Sequence, residues 1–438
     1  MRQAHQPCLE QLFPPDTGCN LTTRASRRAN VLDAAATIVV AELCAPVWNC
    51  WATPPWRVQA EAANAAAIVE LLEQIPLALV LAGKHAARLA ARRQPSPHPL
   101  ASTLDALRQR RAQVLDQDDT RDLSMRITFD LSFAELSAAD GLALAQLSVF
   151  GRNQFPLDGV QRVWQQAAAA ARPTLHRLSN AGLLEEIDDD LWWMHDLLRE
   201  LAGLHLNAEE RAQAQHAHAA WVEEWLTNLE LRDLDSWAAL TAWQAEIEAA
   251  GAWLLAAGAD DGELAVNLAV ELGHKCYTDY SDRRRDWLRA GLALARQPAP
   301  ERNAAMLMNT LADLLSTRGQ YDEAERLYRE SLAVKEKLGD SREVAVTQSS
   351  LALLMQARGD YDEAERLFRE GLQITQQIRD LQGVAVFQMR LGQMALWRGN
   401  ETEGRDLLAQ ARQGFVAIGL PNWAAMVDQI LADFEGGK

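Results

Sequence analysis

The residues able to do chemistry are few and poorly grouped. Four of the five cysteines, Cys8, Cys19, Cys44 and Cys50, lie in the first fifty positions, without the close pairing a thiolate metal site uses. His5 stands three before Cys8, but no further ligand completes a set, so reduced, unpaired thiols are expected. A phosphate cradle takes Gly-x-x-x-x-Gly-Lys-Ser/Thr opening a helix, because backbone N–H groups and a lysine must surround the anion. Gly83-Lys84 comes nearest, with Ala78 at the first glycine and His85 at the hydroxyl. No apolar strand ends in paired acids that would hold Mg²⁺. Nor does a Ser-His-Asp, Cys-His or paired-carboxylate arrangement sit in a loop context that would suit catalysis. The expectation is a non-enzymatic chain with no catalytic residue and no metal.

The helices that must position any remaining site carry a repeat. Tyr321-Asp322-Glu323-Ala324-Glu325-Arg326-Leu327-Tyr328-Arg329-Glu330 returns 40 residues later as Tyr361-Asp362-Glu363-Ala364-Glu365-Arg366-Leu367-Phe368-Arg369-Glu370. A fixed offset of that size marks stacked structural units. Ala324, Leu327, Tyr328 and Ser331 share one helix face. On the other face, Asp322 with Arg326 and Glu325 with Arg329 form acid-first pairs four apart, read as a solvated surface. A preceding helix returns with the same offset, as Leu311-Ala312 to Arg318-Gly319, Leu351-Ala352 to Arg358-Gly359 and Leu391-Gly392 to Arg398-Gly399. The closing glycines fall where a helix ends in a left-handed residue. Each unit is therefore a helix hairpin. The third is decayed in its second helix, and Trp423 to Phe434 covers the last apolar face.

This pattern resembles the tetratricopeptide repeat (TPR). The resemblance implies a superhelix whose inner groove is lined by the first helix of each pair and takes a protein or peptide partner. Asn309, Asp313, Ser349, Gln356, Met389, Gln393 and Trp397 would face that groove.

Length suggests two or three domains, and the dominance of alanine and leucine over β-branched runs predicts a mainly α fold. Five segments are expected. Residues 1–58 are irregular, with short strands at Cys19 to Arg24 and Ala36 to Ala41, and with Trp48, Trp51 and Trp56 among prolines. Residues 59–118 form a helical bundle in which Pro76 opens the second helix. Residues 119–206 hold helices at 122–134, 138–148 and 158–170, then two short strands around Asp188-Asp189-Asp190 and a closing helix, a winged-helix pattern. Residues 207–262 are a helical linker whose tryptophans serve as core. Residues 263–438 are the TPR-like α-solenoid, with a diverged hairpin at 263–297, clear repeats at 303–342, 343–382 and 383–422, and a terminal helix at 423–435.

Three landmarks in this order resemble the STAND, or NB-ARC, nucleotide-switch ATPases. Thr22-Thr23-Arg24 is similar to their sensor strand, Gln74-Ile75-Pro76-Leu77-Ala78 to their Gly-Leu-Pro-Leu-Ala motif, and Met194-His195-Asp196 to their Met-His-Asp motif. Ala245 to Ala250 followed by Trp253 resembles the helix that introduces the TPR array in bacterial members. The resemblance implies a nucleotide-binding remnant of Arg24, Pro76 and His195, contacting the terminal phosphate, the adenine and the β-phosphate. Without the phosphate loop the chain is expected to lie downstream of the nucleotide core, as a truncated or shortened member. ADP or ATP would then bind only if another chain supplied the missing half, and on its own His195 would pack or cap at the hinge.

The formal charge of −17 and pI near 5.0 disfavour a nucleic-acid partner. Within 121–206, seven arginines and no lysine stand against twelve acids, a poor neighbourhood for phosphates. The apolar stretch Ala65 to Ala90 is broken by Glu70, Glu73, Lys84 and Arg88, so no membrane span is expected, and a cytoplasmic location is. Three readings follow: a non-catalytic interaction scaffold, the ADP-binding regulatory portion of a signalling switch, and a transcriptional regulator.

Overall fold

The computed structural model describes residues 61–73, 75–91, 94, 96–114, 123–230, 234–257, 261–275, 282–295 and 301–436. All five cysteines, both expected strands before residue 58, and Trp48, Trp51 and Trp56 lie outside the described residues. The described residues are mostly helical and divide into two compact units, one within 61–148 and 167–205 and one within 149–166 and 206–436. That division cuts across the single segment expected for 119–206.

In the first unit, α1 (Ala62–Leu71), α2 (Pro76–Ala91) and α3 (Pro99–Val114) pack with α4 (Leu123–Phe133), while α5 (Ala138–Gln146) packs on two later helices of the unit, at 168–180 and 196–203. Ile68, Leu81, Leu107, Met125 and Phe129 are all but fully buried. Ser137 caps α5 by accepting from the Asp140 N–H. One expected helix is in fact two. The segment read as 158–170 is α6 (Leu157–Trp164), preceded by the short strand β1 (Gln154–Pro156), and then a separate α7 (Ala168–Asn180). Gln165 takes a left-handed conformation, φ 54°, and ends α6. The alanine-rich run around it offers no stop signal, and left-handed glutamine is uncommon. Beyond α7, β2 (Glu185–Asp188) pairs antiparallel with β3 (Leu191–Trp193), with Glu186 opposite the buried Trp192. The chain then enters α8 (Asp196–Gly203).

The second unit takes in α6, then α9 (Ala208–Asn228), α10 (Leu234–Ala242) and α11 (Gln244–Ala257). Of the tryptophans expected as core, Trp221 and Trp253 are buried, while Trp225, Trp237 and Trp243 are half-buried; Trp225 stacks on Trp243 at 3.9 Å, and Trp221 Nε1 donates to Asp158 at 3.1 Å. The sequence did not reveal the knot beneath them. Glu246, 0% exposed, accepts from the Gly151 N–H at 2.7 Å and from Arg152 N–H and Nε–H at 3.1 and 3.2 Å, and lies 2.7 Å from His218 Nε2. Gly151 has no room for a side chain, since a Cβ would stand 2.0 Å from the Ala245 carbonyl oxygen.

The remainder is a run of hairpins. These are α12 (Gly262–Lys275) with α13 (Asp282–Ala295), α14 (Glu301–Thr317) with α15 (Tyr321–Leu338), α16 (Ser341–Arg358) with α17 (Tyr361–Gln377), and α18 (Leu381–Trp397) with α19 (Glu401–Ala417). Each outer helix also packs on the next inner one, which is why no hairpin stands alone. Gly319, Gly359 and Gly399 take φ of 75°, 86° and 81°, the left-handed stops their recurrence implied. A final helix, α20 (Pro421–Gly436), lays Ala424 and Val427 on Leu408, Ala411 and Phe415 and closes the stack.

The charged face differs from expectation in one pair. Glu325 does meet Arg329, but Arg326 turns to Glu330, and Asp322 to Arg358 of the next hairpin at 3.1 Å. The cause is the arginine that ends each inner helix. Arg318 reaches Asp282, Arg358 reaches Asp322 and Glu325, and Arg398 reaches Asp362 and Glu365, a ladder spaced by the repeat.

Candidate partner groove

The expected groove residues all lie on α14, α16 and α18, the first helices of their pairs. The 40-residue offset aligns their side chains into columns: Met306, Val346, Val386; Asn309, Ser349, Met389; Thr310, Ser350, Arg390; Asp313, Leu353, Gln393; Thr317, Ala357, Trp397. Helical spacing of three, four and seven places these columns along one flank of each helix.

The structure distributes the expected groove residues unevenly. Asn309 is half-buried, its Nδ2 donating to Asp313 Oδ2 at 3.5 Å, while its Oδ1 is buried without a hydrogen-bond partner. Ser349, Gln356 and Gln393 are half-buried and retain surface. Trp397 is 59% exposed. Met389 is corrected: it is 0% exposed, in one cluster with Leu396, Leu408 and Phe415, so it has no surface to offer a partner. Its long thioether packs beside Ala411 and Val427, where the preceding repeat carries the small, half-buried Ser349.

Asp313 is exposed as a residue, with its carboxyl group held among neighbours. Tyr328 Oη on α15 donates to its Oδ1, and the Ser350 hydroxyl on α16 contacts it too. Burial pushes the Asp313 carboxyl above its ordinary range, against these hydrogen bonds and the charges of Lys335 and Arg284. The Tyr328 hydroxyl is raised as well, by burial and by the adjacent carboxylate. Lys335, 3% exposed, is held by Thr347 Oγ1 at 2.8 Å and Glu343 Oε2 at 3.1 Å. Residue-by-residue reading missed Val346 and Leu353, apolar yet 47% and 38% exposed, and Arg390. Reading down each column would have found them.

Two of the three expected nucleotide-remnant residues are described. Arg24 lies outside the described residues. Pro76 opens α2, where its missing N–H is harmless. His195 is the N-cap of α8: its Nδ1 accepts from the Leu197 N–H at 3.2 Å, and its ring is exposed next to Trp193. Lys84, of the nearest approach to a phosphate loop, donates to the Ser179 carbonyl at 3.3 Å, and Arg88 to that of Ala181 at 2.8 Å, so both cations serve the C-terminus of α7. Burial lowers the Lys84 ammonium pKa, and Arg88 adds to that against Glu185. No group of three or more His, Cys, Asp or Glu among the described residues could hold a metal ion, and no described helix is long and apolar enough to cross a membrane.

Residues 302–377 match the tetratricopeptide repeat family. No curated protein matches the chain in sequence. Among solved structures it is similar to a Signal Transduction ATPase with Numerous Domains (STAND) protein with a tetratricopeptide repeat sensor from Pyrococcus horikoshii. There the identity is 15% and the TM-score 0.40, over 82% of this chain and 57% of that one. Aspartyl phosphate phosphatase F from Bacillus subtilis aligns at 10% identity and TM-score 0.42, over 84% and 79%. BtubC from P. vanneervenii aligns at 16% and 0.31, over 51% and 92%. At these identities and scores the likenesses say nothing further about the chain.

Proposed function

We propose that this protein is a non-catalytic interaction scaffold whose inner helices α14, α16 and α18 bind a peptide or protein partner. The observation that carries this is the coincidence of the repeat match at 302–377 with inner-helix side chains that keep polar and apolar surface while the hairpins bury their other flanks in one another. The immobilised full chain, challenged with a phage-displayed random dodecapeptide library, is expected to enrich discrete sequences. The triple variant N309A/S349A/Q393A should lose that enrichment with an unchanged melting temperature, because none of the three fills the core. Unaltered enrichment would reject the groove.

The first unit we infer to be the helical bundle and winged-helix part of a STAND-like switch. The hairpin β2–β3 running into Met194-His195-Asp196 after a set of helices supports this. With no phosphate-loop sequence in it, the chain alone is expected neither to retain ADP nor to hydrolyse ATP. Micromolar ADP binding by calorimetry, abolished in H195A, would overturn that. The transcriptional reading fares worse given the acid excess of 121–206, and it predicts a mobility shift with random duplex at low salt that we expect to be absent.

A further inference from the structure

The column Thr310, Ser350, Arg390 ends in a guanidinium whose Nε has no hydrogen-bond partner among the described residues. In the hairpin of α14 and α15, the carboxylate of Asp313, the hydroxyl of Tyr328 and the hydroxyl of Ser350 satisfy one another. Forty residues on, the same three places hold Leu353, Phe368 and Arg390. Acceptor and hydroxyl have become hydrocarbon, and a guanidinium has replaced the serine. Phe368 is 0% exposed and Arg390 half-buried, with its Nε buried and without a hydrogen-bond partner. The neighbouring arginines are unlike it: Arg302, Arg342, Arg358 and Arg398 each meet a carboxylate. Burial lowers the Arg390 pKa. A guanidinium half out of water with a dry donor is a standing cost to the folded state, and a carboxylate brought to it is held by charge-assisted hydrogen bonds.

Apolar side chains keep surface on the same inner helices. Val346 and Leu353 on α16 are 47% and 38% exposed, and Trp397, two turns beyond Arg390 on α18, is 59% exposed. Aromatic and arginine side chains together are the usual anchors of a protein interface. We propose that the groove takes an extended peptide segment carrying one Asp or Glu for Arg390, flanked by apolar residues over Val346, Leu353 and Trp397. One carboxylate neutralises one isolated guanidinium. A phosphate, with its nearly double charge, would call for a second cation. This inference rests on the groove reading above and adds the chemistry of the occupant.

The test uses the same library on the full wild-type chain and on R390Q, with R390M in reserve should the first fail to fold. Wild type is expected to enrich peptides with an acid between apolar residues. A synthetic peptide of the winning sequence should lose about tenfold or more in affinity when its acid becomes the amide. R390Q should bind both peptides equally weakly while the free variant melts no lower than wild type, since it has shed an uncompensated charge. V346S/W397S should weaken both peptides alike. Enrichment with no acid preference, a preference for phosphoserine over glutamate, or an R390Q chain that still separates acid from amide would overturn this inference and leave the groove standing. Absence of any enrichment would overturn the groove and the inference with it.

Discussion

Glu135 and Glu246 are carboxylates that the fold takes partly or wholly out of water and then surrounds with donors. For Glu135, burial would raise the pKa, but His85 Nδ1 at 3.2 Å and Arg88 Nε at 2.9 Å bring it from 4.5 down to about 2. A depressed acid stabilises the fold fully above its unfolded pKa, and that stability drains away as pH falls from 4.5 toward 2. E135Q is therefore expected to cost about 2 kcal/mol near neutrality and progressively less in acid, a gap visible in wild-type and mutant melts taken from about pH 7 to pH 3. Parallel curves across that range would deny Glu135 this role. Glu246 is buried completely; there too burial is outweighed, by His218, Gly151 and Arg152, and its pKa is lowered. E246Q leaves His218 and Arg152 without their anion, and a loss of about 3–5 kcal/mol in chemical unfolding is expected. Neither hub was legible in the sequence, because Glu246 meets residues 94 and 95 positions away and Glu135 meets residues 47 away. No local pattern encodes such pairings.

At the scale of the element, the hairpins were legible because their determinants are local and recur: an apolar stripe, a small residue at the crossing and a glycine stop, all at one offset. Gly359 and its neighbour Arg358 separate two kinds of contribution. Nothing lies within 4 Å of a Cβ added at Gly359, so G359A feels only its left-handed backbone, φ 86°, and is expected to cost about 1 kcal/mol. Arg358 spans to Asp322 and Glu325 of the preceding hairpin, yet its side chain is 35% exposed. R358A should cost less than about 1 kcal/mol, and the loss should shrink in high salt while that of G359A does not. Equal salt sensitivity in the two melts would refute this division. What stayed hidden at this scale was the break at Gln165, where a left-handed residue without glycine splits one apparent helix in two. Met389 was misjudged because the TPR pattern marks a groove position that this chain has filled with core.

For the whole molecule, the repeats make the second unit close to one-dimensional, with each hairpin's stability resting on the next. Its far end depends on α20, which covers Phe415, Leu408 and Ala411, all 0% exposed. Phe415 also stacks on Trp423 at 5.4 Å. Removing 421–438 would uncover that layer, and burying a large apolar side chain is worth about 1.5–3 kcal/mol. The damage should be graded: α18 and α19 lose their amide protection first, α16 and α17 less, α14 and α15 least, because only nearest neighbours share a core. Hydrogen exchange followed by mass spectrometry on the shortened chain measures that gradient directly. Uniform loss of protection through all the hairpins would mean the array unfolds as one cooperative block, and the picture of stacked, separately contributing units would have to go.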